Sequence, residues 1–166
     1  RRDGLTGLTN RRWLDEVLRQ EVERARRGDV ELAVVMVDLD GFKEVNDSYG
    51  HAVGDQVLRA VAQALEAAVR VTDVVGRYGG EEFLVLLPNV GLEQALEFAE
   101  QMRVGVRLIP VAFRPEPVTA SFGVAQWTHG DNVASLVDRA DDALYAAKRA
   151  GRDRVVLSQP EQHNRP

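Results

Sequence analysis

Two glutamates directly behind two glycines, in Arg77-Tyr78-Gly79-Gly80-Glu81-Glu82-Phe83, form a concentration of groups able to do chemistry. Val74 and Val75 lead in and Phe83-Leu84-Val85-Leu86-Leu87 leads out, which predicts two strands joined by a glycine turn. A solvated hairpin tip explains the same residues, with the glycines supplying positive φ and the glutamates keeping an edge soluble. A second acidic candidate bears on the choice between the two readings. Asp38 lies within the continuous apolar run Leu32 to Leu39, which reads as a strand buried on both faces. A carboxylate there needs a partner, and a cation is the simplest one. Asp40 reads instead as the cap of a short helix starting at Gly41. If strand 32–39 is central and neighbours the hairpin, Asp38 and Glu81 meet. Two acids from separate elements, with a backbone carbonyl nearby, suit Mg²⁺ and leave positions for substrate phosphates. That chemistry is phosphoryl or nucleotidyl transfer. No Gly-x-x-x-x-Gly-Lys-Ser/Thr run is present, which excludes a P-loop.

The elements that must position these groups follow from periodicity. Trp13, Leu14, Val17, Leu18 and Val22 predict a helix over about 10–27, with Thr9 or Asn10 as N-cap and Gly28 as its stop. A short helix over 41–48 turns Phe42 and Val45 inward and leaves Lys43 and Asn46 toward the rim. His51 reads as a loop residue before a long helix that carries Asp55 in its first turn and buries Val57, Leu58, Val61 and Leu65, ending near Arg70. After the hairpin, Leu92, Ala95, Ala99, Met102 and Val106 give another amphipathic helix, with Met102 as core filler. Prolines 110, 115 and 117 mark a loop or edge before a strand at 118–125. A last helix over about 132–150 ends at Gly151, followed by a short strand at 155–157. The tail from Ser158 has no core-forming residues and reads as frayed. The predicted fold class is α+β, an α/β sandwich with a mixed, mainly antiparallel sheet of about five strands flanked by helices.

Composition sets the outer bounds. A chain of 166 residues suits one domain that buries roughly two thirds of its unfolded surface. No apolar run approaches the ~20 residues of a membrane span, no signal-peptide pattern opens the chain, and cysteine is absent, so the expected compartment is the cytoplasm. The net charge of −5 argues against general nucleic-acid binding. Of 21 basic residues only Lys43 and Lys148 are lysines, which singles them out.

With these residues on the page, the chain resembles the GGDEF family of diguanylate cyclases. Gly79-Gly80-Glu81-Glu82-Phe83 is the GGEEF variant of its signature. Further matching blocks are Asp3-Gly4-Leu5-Thr6-Gly7-Leu8-Thr9-Asn10, Asp38-Leu39-Asp40-Gly41-Phe42-Lys43, Gly50-His51-Ala52-Val53-Gly54-Asp55 and Ala143 to Arg152. The resemblance implies a nucleotide-cyclase or ferredoxin-like core over residues 1–158, with 159–166 as a disordered tail. It implies that two GTP are joined into cyclic di-GMP, with pyrophosphate released, by a homodimer in which each domain holds one GTP. Asp38, the Leu39 backbone carbonyl and Glu81 are then metal ligands for Mg²⁺, with Mn²⁺ able to substitute and two ions per half-site. Glu82 is a second catalytic acid, either on the other metal or near the attacking hydroxyl.

The resemblance further implies that Lys148 and Arg152, one helical turn apart and on one face, bind the triphosphate together with Lys43, and that Gly79 and Gly80 let backbone amides approach phosphate. Asn46 and Asp55 match the guanine contacts, so GTP is expected over ATP. Arg70 and Asp73 match an inhibitory product site, assisted by Arg103 from the next helix. An upstream sensory or dimerising region, and a membrane anchor in the parent protein, are compatible with this piece, which itself makes no membrane contact. The competing reading is a catalytically silent member that binds GTP or cyclic di-GMP and signals by contact.

Overall fold

The computed structural model describes residues 1–159. Its elements run α1 (Arg11–Gly28), β1 (Leu32–Leu39), α2 (Phe42–Tyr49), α3 (His51–Ala67), β2 (Val74–Arg77), β3 (Glu82–Pro88), α4 (Leu92–Arg107), β4 (Ala120–Gln126), α5 (Val133–Arg149) and β5 (Val155–Leu157). The strands form one sheet in the order β2-β3-β1-β4-β5. All neighbours are antiparallel except β4 and β5, which are parallel. The mixed five-strand sheet is therefore as expected, with β1 at its centre.

The centre falls on β1 because its residues are apolar on both faces. Ala33, Val35, Val37 and Leu39 point into a core with α2, α3 and α4, built around Phe83, Val85, Phe122 and Leu65. Leu32, Val34 and Met36 point the other way, against Leu14 and Leu18 of α1 and Leu136 and Leu144 of α5. Strand periodicity of two sends alternate residues into separate cores, so a run without polar interruption needs a layer on each side. Each fully buried Leu or Val contributes about 1.5–3 kcal/mol. Asp38, one step from the strand end, is where the apolar pattern breaks.

Local chemistry accounts for the helix ends. Asn10 caps α1, its side-chain oxygen accepting from the Trp13 amide at 2.9 Å, while the stop is Asp29, left-handed at φ 53°, rather than Gly28. Asn132 and Ser135 form a reciprocal capping box on α5. His51 is the first residue of α3, not a loop residue, and Asp55 consequently lies beyond the first turn. Ser158, the first residue of the expected frayed tail, is anchored by its amide to the Val124 carbonyl at 2.7 Å; the rest of that expectation falls largely on residues 160–166, which lie outside the described residues.

Gly123 fixes how closely α5 approaches the sheet. A Cβ there would run into the backbone of Ala140 and Leu144, which has no flexible side chain to move aside. Gly123→Ala should therefore destabilise the fold by about 3 kcal/mol or more, measured as a lowered midpoint in urea unfolding. A change under 0.5 kcal/mol would show that α5 is not packed on the sheet this closely.

Candidate active site

The acidic residues meet because of strand register. Asp38 stands opposite Glu82 in the β1–β3 pair and opposite Ser121 in the β1–β4 pair. One residue on, the Leu39 amide donates to the Glu81 carbonyl at 3.2 Å, which fastens the signature turn to the end of the central strand. Into this rim α5 delivers Lys148. Its ammonium donates to Asp38 Oδ1 at 3.1 Å, to the Leu39 carbonyl at 3.3 Å and to Asp40 Oδ1 at 3.3 Å.

The electrostatics are strained in one direction. Burial pushes the Asp38 carboxyl up, opposed by Lys148 and reinforced by Asp40 and Asp141. Burial and then the charge of Asp38 raise both Glu81 and Glu82, with Asp141 adding to the effect on Glu82. Carboxylates that resist ionising beside one another call for positive charge. The Lys148 ammonium already marks a cation-sized position against Asp38 and the Leu39 carbonyl. Among the described residues no three His, Cys, Asp or Glu side chains close into a full metal cage. Two carboxylates and a carbonyl in an open arrangement are nonetheless what a hard, phosphate-sharing cation takes, so the donor set fits a divalent metal.

The turn is not built as the solvated hairpin tip would require. Neither Gly79 nor Gly80 has positive φ. A Cβ on Gly79 would stand 2.5 Å from Glu82 Oε1, so a side chain there would push the Glu82 carboxylate out of its place. The Gly79 amide donates to the Glu82 carbonyl at 3.2 Å and so is already committed within the hairpin. Arg77 braces the turn from below, donating to the Gly80 carbonyl at 2.7 Å and reaching Asp3 Oδ2 at 3.2 Å. Arg11 lies over the Tyr78 ring at 3.7 Å and donates to the Tyr78 carbonyl at 2.8 Å. The Asp3 and Arg11 braces escaped the sequence reading, because each joins positions more than 60 residues apart.

The other predicted residues sort as follows. Asn46 of α2 lies against Gly54 of α3, next to Asp55; a Cβ on Gly54 would collide with the Asn46 Oδ1, a buried acceptor without a hydrogen-bond partner. Lys43 is exposed on α2, one turn before Asn46. Arg152 does not continue the α5 face of Lys148. The helix stops at Arg149, and Arg152 sits in the following turn at φ 67°. Asp40 is no helix cap, since α2 is capped by Gly41 without a side-chain bond; it accepts from Thr119, Ser121 and the Asp153 amide instead.

Arg70 and Asp73 are side by side, paired at 2.7 Å, with Arg70 also donating to the Pro88 carbonyl at 2.8 Å. They line a 460 Å³ cleft with Arg2, Thr9, Glu66 and Val71. Arg103 is not part of that lining. It is tied to Glu100 and, at 3.0 Å, to Asp153.

The family described as "Diguanylate cyclase, GGDEF domain" matches residues 1–154. The chain belongs to the GGDEF family. This GGDEF domain is 43% identical to the diguanylate cyclase DgcP of Pseudomonas aeruginosa over 158 residues, covering 94% of this chain and 24% of that protein. The chain thus spans about a quarter of that relative's length. Among solved structures, the GGDEF domain of DgcB from Caulobacter crescentus in complex with c-di-GMP superposes with a TM-score of 0.90 at 36% identity, covering 94% of this chain and 92% of that one. The active GGEEF domain of a diguanylate cyclase from Vibrio cholerae gives 0.88 at 37% identity, with 93% and 99% covered. GGDEF diguanylate cyclases are generally metal-dependent. No helix among the described residues is long and apolar enough to cross a membrane.

The raised carboxyls have a consequence for stability. Between the ordinary carboxylate range and their elevated values, the folded state holds protons that the unfolded chain has released, so metal-free stability falls as pH rises through that window. Removing one charge removes part of this loss. Glu82→Gln should raise the thermal midpoint of the metal-free domain at pH 7, with the gain vanishing as pH drops below about 4. A lower midpoint at pH 7 would contradict the repulsion.

Proposed function

We propose that this domain is one half of a diguanylate cyclase, a pair of antiparallel copies that joins two GTP into cyclic di-GMP and releases two pyrophosphates. The observation that carries this reading is the meeting of Asp38, the Leu39 carbonyl, Glu81 and Glu82 at one rim, where the Lys148 side chain bonds Asp38 and the carbonyl. In each of two transfers a 3′-hydroxyl oxygen of one GTP bonds to the α-phosphorus of the other. The bond from that phosphorus to the bridging oxygen of the β-phosphate breaks, and the hydroxyl gives up its proton.

Asp38, the Leu39 carbonyl and Glu81 would hold Mg²⁺, or Mn²⁺ in its place, with two ions per half-site. Bound there, the metal neutralises charge on the attacked phosphate and helps ionise the hydroxyl. Glu82 completes the acidic pair, serving the second ion or the hydroxyl itself. Lys148, Arg152 and Lys43 neutralise the triphosphate, with Gly79 and Gly80 giving it room. Asn46 and Asp55 take the guanine. The Asn46 oxygen is turned against Gly54 without a hydrogen-bond partner, so rotating the amide toward a guanine donor forfeits no existing bond, and adenine lacks the donor pair. The catalytic unit is residues 1–158, working in the cytoplasm, where GTP is found. One chain presents one such set of residues, so turnover requires pairing.

Arg70 in its cleft supports a site for product, its guanidinium suiting phosphate or the guanine Hoogsteen edge, while Asp73, its side chain fully buried and both oxygens on Arg70, holds that guanidinium in place. A silent binding module has less support, since it would have no need of both glutamates together with the lysine that faces them.

Incubation with GTP and Mg²⁺ followed by chromatography should yield cyclic di-GMP, with ATP converted at least 100-fold more slowly. Glu81→Ala should abolish synthesis while leaving the domain folded by circular dichroism. Equal use of ATP, or an unfolded variant, would count against the assignment. Arg70→Ala should relieve inhibition by added cyclic di-GMP and leave the initial rate within about twofold, read from initial rates across product concentrations; unchanged inhibition would remove the product site.

A further inference from the structure

Asp40 lies beside the acidic rim, yet no role in the reaction has been given to it. Its side chain is only 6% exposed, and each of its oxygens accepts two donors. Oδ1 takes the Ser121 hydroxyl at 2.7 Å and the Lys148 ammonium at 3.3 Å. Oδ2 takes the Thr119 hydroxyl at 2.8 Å and the Asp153 backbone amide at 3.0 Å. A buried carboxylate held from four sides has no freedom left to rotate, so its oxygens are fixed points in the site.

The two oxygens reach the two cations assigned to the triphosphate by different routes. Through Oδ1, Asp40 touches Lys148 directly. Of the three acceptors that surround this ammonium, Asp38 and the Leu39 carbonyl belong to the proposed metal set, and Asp40 alone does not. Two cations compete for the same oxygens, and once Asp38 and the carbonyl serve a metal, Asp40 is the acceptor left to hold Lys148 at the rim. Through Oδ2, Asp40 anchors the turn that follows α5. Arg152 and Asp153 both have positive φ there, a conformation that non-glycine residues keep only when their surroundings enforce it. The turn is also held by the ion pairs of Asp153 with Arg103 at 3.0 Å and Arg107 at 2.6 Å. The bond from the Asp153 amide to Asp40 connects that strained turn to the end of β1.

We propose that Asp40 is the positioning residue for both triphosphate cations, holding Lys148 with one oxygen and the Arg152-bearing turn with the other. This rests on the reading of Lys148 and Arg152 as triphosphate ligands. Asparagine at this position cannot substitute. An amide has one acceptor oxygen and one NH₂ group. With its oxygen toward Ser121 and Lys148, the NH₂ faces the Asp153 amide, which cannot accept. Reversed, the NH₂ faces the ammonium.

The test uses the whole chain and a GTP analogue with a methylene bridge between the α and β phosphates, titrated calorimetrically with Mg²⁺ alongside steady-state kinetics. Asp40→Asn should weaken analogue binding about tenfold and raise KM for GTP to match, with kcat falling less than threefold. Arg152→Ala should cost less on the Asp40→Asn background than on the unaltered chain, because the turn is already released. A purely structural role would lower the folded fraction and leave the dissociation constant unchanged. Wild-type affinity in Asp40→Asn beside weak binding in Lys148→Ala would overturn the proposal and spare the triphosphate reading. Wild-type affinity in Lys148→Ala would overturn the triphosphate reading itself. If Asp40→Asn does not fold, Thr119→Val, which removes one donor and no charge, should weaken binding about threefold; full affinity in that variant overturns the proposal.

Discussion

Carboxylates brought together by strand register are the constraint on which the rest of this molecule depends. Once β3 runs antiparallel to β1 with Phe83 opposite Val37, Glu82 must stand opposite Asp38. The apolar residues that set this register are buried on both faces of the sheet, so it cannot slip without turning two cores inside out. The sheet's packing energy thus holds like charges at a separation they would not choose. Lys148 offsets part of the repulsion, and its place on α5 is secured by Gly123, which lets the helix lie directly on β4.

The turn between the glutamates and the sheet is held by partners distant in sequence. Arg77 joins it to Asp3, Arg11 covers Tyr78, and the Leu39 amide ties it to the end of the central strand. A hairpin tip with two adjacent glycines would ordinarily be mobile. Here each end of the turn is braced, consistent with side chains that must hold their geometry to act.

Sequence alone made the sheet legible, because its signals are local. The unbroken apolar run of β1 required layers on both sides, and the break in that run at Asp38 marked the rim. The helices announced themselves through periodicity and caps such as Asn10. Features set by distant or backbone partners were misread. Asp40 looked like a helix cap because Thr119, Ser121 and Asp153 lie at least 79 residues away. Arg152 looked like a continuation of the Lys148 face because nothing in its residue type announces a left-handed turn. The hairpin-tip reading of Gly79 needed a positive φ that it lacks, and what a side chain there would disturb is the Glu82 carboxylate.

The opening motif has a further consequence through the edge of the sheet. Thr9 lies parallel to β2, its amide donating to the Val75 carbonyl and its carbonyl accepting from the Arg77 amide, so backbone groups that β2 would otherwise show to solvent are already taken. The opposite edge is β5, only three residues long. With one border covered and the other too short to template a new strand, the sheet offers no continuous edge for another chain to extend. In the proposed pair, two copies would therefore recognise each other through side chains and loops, an association that can be formed and released without disturbing the hydrogen bonds that hold either domain together.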